Sequence, residues 1–135
     1  MRRILTQRAA ASALLLLMSL ALTFQLVVLM GFIPTEMVWG GRLADERERA
    51  IGAGVSIGVL VLMGLIVLGR IERLGKRMAV VGRWGIWVVV GVFALNTVGN
   101  LFAMDPREAL IFTPVTTICT FLALRVAVDD PFSPV

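Results

Sequence analysis

Four long apolar stretches constrain this chain more than any other feature of its sequence. A hydrocarbon core about 30 Å thick takes about 20 helical residues at roughly 1.5 Å each. Stretches at about 9–33, 50–69, 84–103 and 109–128 each reach that length. The first is interrupted only by Ser12, Ser19, Thr23 and Gln25, none of them charged, and Arg125 is the only charge near the end of a span. The prediction is an all-α fold: a four-transmembrane-helix bundle forming one membrane domain over residues 1–135. A basic loop is expected at 70–83, with opposite loops at 34–49 and 104–108. The first stretch outruns the ~7–15 apolar residues of a signal-peptide core and no small-x-small cleavage site closes it, so it reads as a retained helix.

Composition agrees. Apolar residues make up 59% of the chain and charged ones 16%, against a usual ~25%, too few charges to clothe a water-soluble globule. There is no His and one Cys, which removes His-based general base catalysis, His-containing metal sites and any intramolecular disulfide. Cys119, deep in the fourth span with nothing basic beside it, reads as a buried apolar thiol. The expectation is a non-enzyme with no catalytic residues, no metal and no cofactor.

Lys and Arg sort by side of the membrane. Arg2, Arg3, Arg8, Arg70, Arg73, Lys76, Arg77, Arg83 and Arg125 fall on one side. Arg42, Arg47, Arg49 and Arg107 fall on the other, where six carboxylates outnumber them. Short loops rich in Lys and Arg stay cytoplasmic, so both termini are expected inside. The basic loop has neither the soluble module nor the stacking aromatics of a nucleic-acid site. Its expected partner is the anionic face of the lipid bilayer.

Asp45 and Glu48 have the D-x-x-E spacing of a capping box and place the start of helix two. Ala50, Gly54 and Gly58 set small residues four apart, which lets another helix approach closely. Packing inside the bundle is the expectation for this stripe, with a homodimer as the alternative. Trp39, Trp84 and Trp87 fall at span boundaries as headgroup-level anchors, and Pro114 reads as a kink that frees the Leu110 carbonyl.

A polar layer is expected in the outer half. Counted from the span midpoint, Asn96 lies roughly 4 Å and Asn100 roughly 10 Å beyond centre, with Gln25, Thr113, Thr116 and Thr117 at similar depths. Thr120 shares the broad threonine face of the fourth span. An amide without partners in hydrocarbon costs several kcal/mol, so these groups are expected to turn inward and bond across helices. Such bonds fix helix register. A second use is an outward-facing site for a small polar solute or headgroup, with Glu36, Trp39, Arg42, Arg107 and Glu108 at its rim.

The order Trp39-Gly40-Gly41, Trp87 and Asn100, then Arg107-Glu108 and Pro114, resembles a family of small bacterial four-helix membrane proteins of unknown function. Members are similar in placing a Glu eight residues after a helix-three Asn and a Pro six after that Glu, intervals that Asn100, Glu108 and Pro114 keep. The likeness covers about 36–127, with Ala103 and Ala109 where Ser and a basic residue are expected. It implies a multi-pass bacterial inner-membrane protein and a role for those three residues, but no activity. Four spans in a chain this short also resemble the small multidrug-resistance transporters in size. Those carry a proton-coupling Glu in helix one, where this chain has the non-titrating Gln25. A dimeric small-solute or lipid-binding transporter is therefore the alternative to a protein that acts through a homodimer or another membrane protein. Glu36 and Glu108 as an acid–base pair would make an enzyme, but nothing in their spacing demands it.

Overall fold

A computed structural model describes residues 5–32, 45–103 and 106–128, apart from the side chain of Glu108. They form four helices: α1 (Gln7–Leu29), α2 (Glu46–Arg70), α3 (Lys76–Leu101) and α4 (Pro106–Val128). All four are long and apolar enough to cross a membrane. Contacts run α1 to α2, α2 to α3, α3 to α4 and α4 back to α1, an up-down-up-down ring. The end holding Leu5 and Val128 is called proximal here, and the opposite end distal.

The helix ends follow from local chemistry. Thr6 Oγ1 accepts from the Ala9 amide at 3.1 Å, and Asp45 Oδ1 accepts from the Glu48 amide at 2.9 Å, as the D-x-x-E spacing implied. Helix α1 stops at Leu29 rather than running to Ile33. Gly31, at φ +88°, donates to Val28 O while Phe32 donates to Val27 O, a Schellman turn that closes the last carbonyls. Helix α2 ends the same way, but with Glu72 in the left-handed position at φ 61°. Helix α3 then starts at Lys76, so most of the expected loop 70–83 is helical. The apolar stretch marked where hydrocarbon begins, and the helix continues beyond it into the polar interface. Pro106 opens α4, where a missing N–H costs nothing.

Lipid is as apolar as leucine, so burying apolar surface within the bundle gains little; close packing must hold it together. Between 17% and 28% of each span's most apolar window is fully buried, and the rest is half-buried or exposed. The main core joins Leu14 and Met18 of α1, Met63 and Val67 of α2, Ile86, Val89 and Phe93 of α3, and Cys119, Ala123 and Val126 of α4. Every one of these residues lies in the proximal half or the middle of its helix. Among the described residues a second, smaller cluster nearer the distal end joins Val28 and Ala53, with Phe24 against them and the Phe24 ring 5.0 Å from that of Phe112.

Two helix backbones come into direct contact at the proximal end. Gly82 of α3 lies against the backbone of Gly69 and Arg70, and Gly69 in turn against the backbone of Met78; a side chain at either would overlap it. A Cβ at Gly85 would come within 2.9 Å of Ile66 Cγ2. Gly54 and Gly58, expected to pack inside the bundle, are instead exposed, with nothing within 4 Å of an added Cβ. They sit on the side of α2 opposite its buried residues, so the small-residue spacing faces outward.

Candidate functional site

The polar layer lies between α3 and α4, which form the most extensive helix pair. Thr116 Oγ1 is its centre. It accepts from Asn100 Nδ2 at 3.2 Å and from Thr97 Oγ1 at 3.0 Å, and donates to Phe112 O at 2.9 Å. The single Thr97 proton has a second acceptor in Phe93 O at 2.9 Å. All three side chains are half-buried in the seam.

Other members of the expected layer go elsewhere. Asn96 is exposed on the lipid side of α3, a correction to the expectation that it turns inward; Thr97 takes its place. The burial stripe of α3, Gly82, Ile86, Val89 and Phe93, reaches Asn100 equally well through 96 or 97 in steps of three and four; the structure places Thr97 in the seam, bonded to Thr116. Thr117 and Thr120 donate to Thr113 O and Thr116 O one turn back, at 2.6 and 2.8 Å, so they are satisfied within α4. Ser19 and Thr23 of α1 do the same toward Leu15 O and Ser19 O. Gln25 is half-buried on α1 and takes no part in the α3–α4 bonds. The hydroxyl of Thr113, beside Pro114, is buried without a hydrogen-bond partner.

Of the expected rim, Glu36, Trp39 and Arg42 lie outside the described residues, as does the side chain of Glu108; Arg107 is exposed near the start of α4. Pro114 is exposed within α4. Arg49, counted in the sequence only as a charge, is nearly buried at 12% side-chain exposure, 3.8 Å from Glu46, with a nitrogen 3.1 Å from where a Cβ of Gly31 would sit. Among the described residues the side chains that bond across the seam are one amide and two hydroxyls. They can hold and orient hydrogen-bonding groups but move no proton of their own by titration. Among the described residues no group of three His, Cys, Asp or Glu side chains could hold a metal ion.

A second polar cluster at the proximal end was not anticipated. Arg70, 7% exposed, donates through Nε to Val126 O at 3.3 Å and through Nη2 to Ala127 O at 3.1 Å. Gln7 Nε2 also reaches Val126 O, at 3.0 Å, and Arg125 Nε reaches Leu5 O at 2.9 Å. The Arg70 and Gln7 bonds satisfy carbonyls in the last turn of α4, and with the Arg125 bond to Leu5 O they tie α2, α4 and the chain at the start of α1 together. The available signal was positional, since Arg70 and Arg125 both fall in the last turn of a helix. Two hollows flank the cluster: one of about 100 Å³ lined by Gln7, Arg8 and Glu72, and one of about 250 Å³ lined by Arg70, Arg83, Trp84 and Trp87.

No protein-family model matches the chain, and no curated protein or solved structure shows significant similarity to it, so no role comes to Asn100, Glu108 or Pro114 from a relative.

Proposed function

We propose that this is a non-catalytic multi-pass protein of the bacterial inner membrane, acting through other membrane components, in which the distal polar layer sets helix register. The observation that carries this reading is the Thr97, Asn100 and Thr116 trio, whose bonds run from helix to helix rather than toward an open cavity. The excess of Lys and Arg at the proximal side supports a cytoplasmic location for both termini. Reporter fusions at each end test that orientation, and an external C-terminus overturns it.

A dimeric transporter of a small solute or lipid is the second reading. It draws on the uncovered Gly54 and Gly58 face, which would let a second copy approach closely. The two readings part on Asn100→Leu. Register-setting predicts lower thermal stability in detergent with unchanged solute uptake by proteoliposomes. Unchanged stability with lost uptake, together with loss in Glu36→Gln and Glu108→Gln, favours the transporter.

A further inference from the structure

The hollow of about 250 Å³ between the proximal ends of α2, α3 and α4 has a composition that the register reading does not use. Arg83, Trp84 and Trp87 line it from α3, Ala127 and Val128 from α4, with Arg70 at its base. Its described lining contains two guanidinium groups, two indoles and no carboxylate.

Its depth is fixed by packing. Gly82 lies against Gly69 and Arg70, so residues 76–81 extend about 9 Å past the end of α2. Arg83 is therefore level with the last turns of α2 and α4, where the hydrocarbon gives way to headgroups. Trp84 and Trp87 are 72% and 49% exposed, and indole rings with one wet edge settle at that level. The Arg70 guanidinium is engaged by the Val126 and Ala127 carbonyls and contributes fixed positive charge beneath the opening. Arg83 is exposed above it, with a planar donor pair suited to two oxygens of one phosphate.

We propose that this groove is a binding site for the phosphate of an anionic phospholipid headgroup, held by Arg83 over Arg70 and flanked by Trp84 and Trp87. A zwitterionic headgroup is disfavoured, because its ammonium would lie beside two guanidinium groups.

The test uses the full-length protein in nanodiscs of phosphatidylcholine doped with phosphatidylglycerol, with the lipid that stays bound read by native mass spectrometry. Wild type is expected to retain one phosphatidylglycerol per chain in preference to phosphatidylcholine. Arg83→Gln should weaken retention about tenfold, the loss of one charge-assisted phosphate contact, and Arg77→Gln, outside the groove, by severalfold less. Equal retention by Arg83→Gln, equal loss in Arg77→Gln, or preference for phosphatidylcholine overturns the proposal. Displacement of the lipid by excess inorganic phosphate overturns the lipid assignment in favour of a free anion. The chain continues beyond Val128 with Asp129 and Asp130. The double substitution Asp129→Asn, Asp130→Asn is expected to leave retention unchanged; retention by the double variant with none by wild type would make those carboxylates the occupant and overturn the proposal.

Discussion

Asn100 and Thr116 meet across the α3–α4 seam, amide to hydroxyl at 3.2 Å, one helical turn beyond Thr97 and two beyond Phe93, the last large apolar side chain of the α3 core stripe. The pair stands where the apolar core thins out. Interhelical hydrogen bonds in membranes are worth about 0.6–2 kcal/mol. Thr116→Val is therefore expected to lower stability by about 1 kcal/mol. Asn100→Leu and Thr116→Val together should cost less than the sum of the two, because each removes the same bond. Thermal unfolding in detergent across the four members of the cycle measures this.

Asn96→Leu should be neutral or mildly stabilising, within about 0.5 kcal/mol, since the substitution takes an amide out of contact with lipid and breaks no bond across the helices. A loss as large as that of Thr116→Val, in the same unfolding assay, would show that Asn96 faces the bundle.

Gly82 and Gly54 give opposite expectations for one chemical change. At Gly82 a methyl group would meet the backbone of Gly69 and Arg70, which cannot move aside as a side-chain tip can, so Gly82→Ala should cost about 1–3 kcal/mol. At Gly54 nothing lies within 4 Å, and Gly54→Ala should be neutral or stabilising by up to about 1 kcal/mol through helix propensity. If Gly54→Ala instead weakens self-association measured by cross-linking, a second copy uses that face.

Much of this contrast was hidden in the sequence for a physical reason. In a soluble helix the polar residues mark the outer face and leave the buried stripe visible. Here the lipid-facing Leu16, Leu62 and Leu95 are as apolar as the buried Leu14, Val67 and Ile86, so pattern alone does not distinguish inside from outside. The number and approximate extent of the helices were legible, because bilayer thickness sets length. So was the capped start of α2 at Asp45; the polar layer was expected across α1, α3 and α4, and of its members Asn100 and Thr116 bond from helix to helix while Gln25 and Asn96 take no part. The choice of Thr97 over Asn96 was not legible, since both lie within one turn of Asn100. The small residues that mattered, Gly69 and Gly82, sit on opposite sides of a hairpin rather than in a repeating stripe.

The two Schellman turns offer a further check. Glu72 occupies a left-handed conformation that costs an L side chain roughly 1–2 kcal/mol, so Glu72→Gly is expected to stabilise by about 1 kcal/mol. Gly31→Ala should destabilise by a similar amount or more, because the new methyl would also crowd the Arg49 guanidinium. Unfolding midpoints of the two variants should move in opposite directions.

Arg70→Met keeps the length and apolar stem of the side chain while removing two donors to Val126 and Ala127. Leaving buried carbonyls without their partner costs about 1–3 kcal/mol. The expected result is a lower unfolding midpoint together with faster amide exchange or proteolysis in the last turn of α4. An unaltered α4 terminus would mean that the Arg70 bonds do not hold that helix end closed.

The uneven core has a mechanical consequence. With Leu14, Val67, Ile86 and Val126 clenched near one membrane face and, among the described residues, the smaller cluster of Val28 and Ala53 nearer the other, the four rods behave like tongs held at the grip. Local opening follows the route that breaks the fewest contacts. At the open end α3 and α4 are joined by residues 102–105 alone, so spreading parts α1 from α4, the least extensive pair in the ring, and α2 from α3 about the Gly82 contact, before it disturbs any part of the grip. An opening of that kind leaves the Thr97, Asn100 and Thr116 bonds intact, as a latch on one jaw.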